Sequence, residues 1–299
     1  MSVVGNGKII FCEGKDTSLD YLLLDRVLKD MPKERPTIVP SGGKFTFSIF
    51  AEGYFSRLNT ERRWLVFRDR DFDDFPTEDI ALVPFNKKTT SNLVLMTHRA
   101  CIENYLLDAS LIHEYWTNCY AEQQKYPSMR WSYKDSPGVE AIDSWIRESA
   151  MALRDYQAVR WSLAALVNNG GNLARIKTTW TGGSGTLPIS LELDHCKGNA
   201  VAMISGFHQA IDGVTNESFH ENLNKFLKKF DYEYNDFWRN EEYIIWFHGK
   251  DIQKEMQKQK MPACKNPISI AEYFKWAVNK IDINSYPDLL ELRKKIEEL

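Results

Sequence analysis

Acidic residues follow two apolar segments of this sequence, close to the point where each segment ends. Glu13 comes directly after the apolar run at residues 8–12, and Asp69 and Asp71 come just after the run at residues 64–67. Carboxylate oxygens are preferred ligands of Mg²⁺ and Mn²⁺. Two such ions about 4 Å apart can activate a water molecule and stabilise the leaving oxygen of a phosphate ester. If the two acidic groups share a site, the chemistry they indicate is metal-assisted hydrolysis of a phosphodiester.

The surrounding pattern predicts a parallel sheet that would bring these two groups together. Apolar runs at residues 8–12, 37–40 and 64–67 are typical of strands that are covered on both faces. Helical spacing predicts one helix near residues 17–28 and another near residues 45–58. Strands that alternate with helices favour an α/β fold, in which ligands bind beyond the carboxyl ends of the strands. Both acidic groups fall at such an end.

An acidic run is also what an ordinary surface loop contains. Residues 69–74 include four aspartates, and most charge runs of this kind are solvated loops that hold no ligand. The coincidence with Glu13 at the matching strand end favours a shared metal site over that alternative, because the two groups are far apart in sequence.

Four short motifs resemble those of TOPRIM nucleases. Residues 11–16 (Phe-Cys-Glu-Gly-Lys-Asp) and 66–71 (Val-Phe-Arg-Asp-Arg-Asp) resemble the Glu-Gly and Asp-x-Asp motifs of the TOPRIM domain. Residues 102–107 (Ile-Glu-Asn-Tyr-Leu-Leu) resemble the segment that follows the sheet in these proteins, and the likeness returns more weakly at residues 248–251 (His-Gly-Lys-Asp). The sequence is similar to TOPRIM nucleases of the OLD family. It is also similar to stand-alone TOPRIM proteins encoded beside AAA-type ATPases in bacterial phage-defence operons, such as the effector subunit of PARIS systems.

This resemblance implies a fold, a cofactor and a set of site residues. The fold is α/β, a TOPRIM (Rossmann-like) parallel sheet flanked by helices, with a mainly α-helical C-terminal region. The implied cofactor is Mg²⁺ (or Mn²⁺). The implied metal ligands are Glu13, Asp16, Asp69, Asp71 and Glu103. The implied catalytic residues are Glu13, Asp69, Asp71, Glu103 and Lys250.

Lys250 is the implied residue that lies farthest from the others in sequence. Its ammonium would stabilise the negative charge that builds on the phosphate in the transition state. We predict that it lies within about 12 Å of Asp69 and Asp71, because charges separated by more than a Debye length are largely screened at physiological salt. The alternative is a solvent-facing lysine at the start of a helix predicted over residues 251–260.

The sequence favours a division into two parts. We assign residues 1–110 to a TOPRIM catalytic domain. Residues 111–299 then form a mainly helical region that contributes Lys250 and offers surfaces for a partner or for a homodimer. Helical spacing predicts one long amphipathic helix over residues 139–167. The aromatic residues between 226 and 238 could either pack in a core or stack on unpaired bases.

The resemblance also implies a function. It indicates a Mg²⁺-dependent endonuclease, a hydrolase that acts as the toxic effector of a bacterial antiviral defence system by abortive infection. The substrate would be RNA, such as tRNA, or DNA. Because the chain has no nucleotide-binding loop, an AAA-type ATPase sensor protein would supply the control. The alternative is a non-catalytic TOPRIM-like adaptor that binds an ATPase partner, although an adaptor has no reason to keep clustered like charges.

Composition and cysteine usage indicate the compartment. The net charge is −3, which is not the basic surplus typical of nucleic-acid-binding proteins, but bound cations would invert the local sign that a phosphate meets. The five cysteines are scattered without a CxxC pair, so neither a disulfide framework nor a zinc site is predicted. No apolar run approaches the roughly 18 residues that span a bilayer. We expect a cytoplasmic protein without membrane contact.

Overall fold

The chain forms two compact units in a computed structural model, which describes part of the sequence. The units are Met1–Leu153 together with Arg239–Leu299, and Arg154–Trp238. The sequence predicted a boundary at residue 110 instead. The first unit extends beyond that point because its C-terminal segment returns to the sheet, where the Arg70 guanidinium donates to the Ile245 carbonyl at 2.8 Å. The described residues are 8–29, 31, 35–43, 64–85, 94–126, 134–168, 188–232, 236–259 and 268–299.

The first unit is built on a five-stranded sheet. Its strands are β1 (Ile9–Cys12), β2 (Thr37–Pro40), β3 (Trp64–Arg68), β4 (Val83–Pro84) and β5 (Val94–Met96). The strand order is β2-β1-β3-β5-β4, and every neighbouring pair is parallel except β4 and β5. The predicted α/β class with a mostly parallel sheet is therefore confirmed.

β1 and β3 lie side by side, with β1 wholly buried. Phe11 lies opposite Val66 in the parallel register, and both belong to one buried cluster with Ile9. Such strands need apolar residues on both faces, which explains the continuous apolar runs in the sequence. Because the two strands run in the same direction, Glu13 and Asp69 follow them at the same edge of the sheet. We call this the carboxyl edge.

Helices make up most of the described chain after β5. The described residues contain eleven α-helices and one 3₁₀ helix, Ile283–Ser285. The α-helices are α1 (Leu19–Val27), α2 (Glu103–Leu106), α3 (Ala109–Lys125), α4 (Val139–Ala152), α5 (Arg154–Leu166), α6 (Leu193–Ile211), α7 (Asn216–Lys229), α8 (Tyr243–Trp246), α9 (Gly249–Gln259), α10 (Ile270–Ala277) and α11 (Pro287–Glu298). The mainly helical C-terminal region is thus confirmed. The helix predicted near residues 45–58 lies outside the described residues.

The prediction of a single long helix over residues 139–167 is wrong, because the structure has two helices there. α4 ends at Ala152, and the Leu153 N–H donates to the Ala150 carbonyl at 3.0 Å, which closes a tighter turn than an α-helix has. α5 then begins at Arg154, where the second compact unit also begins. The apolar residues on both sides keep helical spacing, so their pattern could not reveal the break.

The aromatic residues of the second unit mainly pack in its core. Phe226, Phe230, Phe237 and Trp238 are all buried, and Trp161 stacks on Phe226 with ring centroids 6.0 Å apart. Buried rings of this kind cannot stack on bases without unfolding, so core packing is the alternative that the structure supports for these four residues. Among the described residues, no helix combines the length and apolar character needed to cross a membrane.

Candidate metal centre at the carboxyl edge

A lysine faces two buried carboxylates at the carboxyl edge. Lys250 Nζ lies 3.6 Å from Asp69 Oδ2 and 3.7 Å from Glu103 Oε1. Asp69 follows β3, Glu103 begins α2 and Lys250 lies in the first turn of α9, so three distant segments of the chain meet here. The separation from Asp69 is far shorter than the limit of about 12 Å set by screening. The catalytic role of Lys250 stays a prediction.

Asp20 adds a third carboxylate to this group. Burial raises the pKa of Asp69 well above its usual value, and the charges of Asp20 and Glu103 raise it further. Burial also raises the pKa of Asp20 to about 6, helped by Glu103 and Asp71 and opposed by its backbone hydrogen bond and by Lys250. The mutual effects show that these residues share one electrostatic environment. We call Asp20, Asp69, Asp71, Glu103 and Lys250 the acidic site.

Two carboxylate oxygens of the acidic site have no hydrogen-bond partner among the described residues. Asp20 Oδ1 and Glu103 Oε2 are buried and accept no hydrogen bond from the described residues. Leaving a buried acceptor unsatisfied costs about 1–3 kcal/mol, and more when the group is charged. Oxygens of this kind are stabilised when a cation binds them, which is the behaviour expected of metal ligands.

Glu13 and Asp71 also lie at the carboxyl edge. Burial raises the pKa of Cys12 to about 12, and the charges of Asp20 and Glu13 contribute to that rise. Asp71 has a left-handed backbone with φ 51°, and its N–H donates to the Ala100 carbonyl at 2.7 Å. The loop after β3 is thus bent sharply at Asp71. The roles of Glu13 and Asp71 as metal ligands stay predictions.

Asp20 is the site residue that the sequence interpretation missed. Asp16, the predicted ligand in this segment, is exposed and precedes α1, so its role stays a prediction. Asp20 shares a helix face with Leu23, Leu24 and Val27, which are all buried, because residues at i, i+3, i+4 and i+7 lie on one side of a helix. The sequence signal for Asp20 is therefore an acidic residue on the apolar face of a helix.

A cysteine and a histidine also reach the site, although the sequence predicts no zinc site from its scattered cysteines. Donor atoms of Asp69, Cys101 and Glu103 lie within 4.8 Å of one another, and Cys101 Sγ lies 3.6 Å from His248 Nδ1. Burial raises the pKa of the Cys101 thiol well above its usual value, with further increases from Glu103 and Asp69. A neutral thiol is a weak ligand, so oxygen donors dominate the site.

Asn104 holds the segment that carries the lysine. Its Oδ1 accepts from the N–H groups of Cys101 at 3.1 Å and Gly249 at 2.9 Å, and its Nδ2 donates to the Phe247 carbonyl at 2.9 Å. A Cβ atom on Gly249 would lie 2.8 Å from both the nitrogen and Oδ1 of Asn104, too close for any other residue without a shift. The sequence interpretation included both residues in motifs and gave neither a role.

His248 and Arg70 tie the same segment to the loop after β3. His248 Nε2 lies 3.1 Å from Asp71 Oδ1. The buried Arg70 guanidinium donates to the carbonyls of His98 at 3.1 Å and Ile245 at 2.8 Å. Burial lowers the pKa of Arg70 to about 10, which leaves it charged near neutral pH. These contacts fix the loop and the C-terminal segment against each other.

No family model and no curated protein matches the chain. The mostly parallel sheet and the acidic site at its carboxyl edge are shown by the structure. Membership of the TOPRIM family stays a prediction that rests on the four motifs.

Replacing Gly249 with Ala is expected to lower both stability and divalent-cation binding. The new methyl group would push Asn104 away and shift the first turn of α9, at a cost of roughly 1–3 kcal/mol for overpacking. Thermal unfolding and titration with Mn²⁺ measure the two effects. Gly206→Ala is the matched control, because nothing lies within 4 Å of its added Cβ. Normal unfolding and cation binding in Gly249→Ala would show that the close contact has no function.

Proposed function

We propose that this chain is a metal-dependent nuclease that hydrolyses phosphodiester bonds. The observation that supports the proposal is the meeting of buried Asp69 and Glu103 with the Lys250 ammonium, beside Asp20. The group lies beyond the carboxyl ends of parallel strands, where open α/β sheets bind their ligands. A purely structural ion pair would not need further carboxylates beside it, since each one adds repulsion.

The donor set fits a hard divalent cation. Asp69, Glu103 and Asp20 would hold Mg²⁺ or Mn²⁺, with Glu13 and Asp71 at the same edge. The buried oxygens of Glu103 and Asp20 that accept no hydrogen bond from the described residues are the observation that supports this fit. Such an ion, when bound, lowers the pKa of a water molecule and neutralises charge on phosphate oxygens.

Asp69 and Lys250 are positioned for different tasks. The Ile102 N–H donates to Asp69 Oδ1 at 2.9 Å, which fixes the carboxylate with Oδ2 toward the lysine. The side chain of Lys250 is 52% exposed, so its ammonium can reach an incoming phosphate. There it would neutralise the charge that develops on a non-bridging oxygen in the transition state.

We propose further that this nuclease is the toxic effector of an anti-phage defence system, controlled by an AAA-type ATPase partner. The support for this role, and for tRNA, other RNA or DNA as the substrate, is the resemblance of the four motifs. The competing proposal is a non-catalytic adaptor that binds the same kind of ATPase. An adaptor would gain nothing from buried carboxylates whose pKa values are raised by burial and by one another.

One assay separates these proposals. The purified chain, alone and with the protein encoded by the neighbouring gene, is incubated with tRNA and with plasmid DNA in the presence of a divalent cation. Cleavage of either nucleic acid by the intact protein, but not by Glu103→Gln, supports the nuclease. Binding of the ATPase with no cleavage under any condition would instead support the adaptor.

Cleavage is expected to require Mg²⁺ or Mn²⁺ and to stop when EDTA is added. The reason is that oxygen donors dominate the acidic site and the Cys101 thiol is neutral, so a hard cation fits it best. Product formation on a gel, with each metal added back after chelation, is the measurement. If Zn²⁺ alone restored cleavage while Mg²⁺ and Mn²⁺ did not, Cys101 and His248 would have to replace the carboxylates as principal ligands.

A further inference from the structure

The Lys250 ammonium lies where a cation bound by Asp69 and Glu103 would also have to lie. Its Nζ is 3.6 Å from one carboxylate oxygen and 3.7 Å from the other. The side chains of the two acids are only 6% and 10% exposed, whereas that of the lysine is 52% exposed. The acids are therefore fixed in the protein interior, and the lysine reaches them from the solvent side.

An ammonium and a divalent ion cannot both occupy this position without strong electrostatic repulsion. Mg²⁺ binds carboxylate oxygens at about 2.0–2.1 Å, so an ion that joins Asp69 and Glu103 would lie close to the present Nζ. Two positive charges about 4 Å apart repel each other strongly in a partly buried site, because the effective dielectric there is far below that of water. Either the lysine moves or the ion binds elsewhere.

The lysine side chain can move without disturbing the fold. Asn104 Nδ2 donates to the Phe247 carbonyl and Asn104 Oδ1 accepts from the Gly249 N–H, and these two bonds fix the backbone just before the lysine. The four-carbon stem beyond that backbone is flexible and half exposed. A change of rotamer would carry the ammonium toward solvent while α9 stays in position.

We propose that Lys250 is a placeholder for the metal. In the metal-free protein its ammonium offsets part of the negative charge of Asp69 and Glu103, and it swings toward solvent when a divalent cation takes its place. In the outward position the ammonium lies on the side from which a phosphate must arrive, so metal binding would also prepare the site for the substrate. This inference rests on the proposed function, because it concerns the same acidic site.

Lysine labelling of the wild-type protein tests the movement directly. The protein is acylated briefly with and without Mn²⁺, and the modification of each lysine is quantified by mass spectrometry. We expect modification of Lys250 to increase severalfold when Mn²⁺ is present. Lys254, an exposed residue one turn later on α9, is the internal reference and should be modified equally in both samples.

Mn²⁺ affinity provides the second measurement. Lys250→Met is expected to bind Mn²⁺ roughly tenfold more tightly than the wild type, because the positive charge that competes with the ion is removed. Lys254→Met removes the same charge from the same helix and should bind as the wild type does. Glu103→Gln should bind more weakly, which identifies the site that is being measured.

The outcomes separate this inference from the proposed function. Tighter binding by Lys250→Met together with increased labelling of Lys250 supports the placeholder. Normal Mn²⁺ binding that depends on Glu103, with unchanged labelling and unchanged affinity in Lys250→Met, overturns the placeholder and leaves the nuclease proposal intact. Absence of any Mn²⁺ binding that depends on Glu103 overturns both.

Discussion

Replacing Asp69 with Asn is expected to reduce cleavage at least about a thousandfold. A bound metal contributes several kcal/mol of transition-state stabilisation, and each 1.4 kcal/mol changes the rate about tenfold. Asn keeps the shape of the side chain and can still accept the hydrogen bond from Ile102 through its Oδ1. The loss would therefore report the missing charge rather than a disturbed fold. Single-turnover cleavage at saturating Mn²⁺ is the measurement.

The same substitution is expected to stabilise the metal-free protein above about pH 4. The pKa of Asp69 is raised in the folded chain, so the folded state binds more protons than the unfolded state once the pH passes the ordinary carboxyl value. Stability then falls as pH rises through that window, and Asn removes the loss. Removing Asp69 also lowers the repulsion on Asp20, whose pKa is raised to about 6.

Thermal unfolding in EDTA at several pH values tests this stability effect. The advantage of Asp69→Asn should be small in acid and grow as the pH rises. Asp79→Asn is the control, since Asp79 is exposed and is not among the charges that shift the pKa of Asp69. If Asp69→Asn were less stable than the wild type at neutral pH, attraction to Lys250 would outweigh the repulsion within the site.

Lys250→Ala is expected to lower the turnover number about a hundredfold and to change substrate affinity little. Deleting a group that stabilises transition-state charge typically costs this much, because the interaction is stronger in the transition state than in the ground state. Saturating Mn²⁺ must be used so that altered metal affinity does not enter the comparison. Lys254→Ala provides the charge-matched control on the same helix. A rate equal to that of the wild type would exclude catalytic help from Lys250.

The sheet could be predicted from sequence because its strands are marked by local composition. Residues 9–12 and 64–67 are apolar without interruption, and the structure buries them as neighbouring parallel strands. Once that sheet is given, the meeting of Glu13 and Asp69 at one edge follows from strand direction alone. The same reasoning cannot give side-chain distances, since those depend on how the helices pack.

The features of the site and the fold that the sequence did not predict depend mainly on tertiary contacts rather than on local sequence pattern. Cys101 and His248 meet across 147 positions of sequence, and no spacing rule connects them. The apolar residues before and after the turn at Leu153 keep the spacing of one continuous helix, so the sequence does not mark the turn. Asp20 is an intermediate case, because its position on the apolar face of α1 was visible in the sequence and was overlooked.

The return of the C-terminal segment to the sheet means that this site is completed late in protein synthesis. Every carboxylate of the acidic site has left the ribosome before Lys250 is translated, and the segment that carries the lysine is held by Asn104 and by the Arg70 contact to Ile245. A nascent chain stopped anywhere before residue 250 would carry the acids without the cation that faces them.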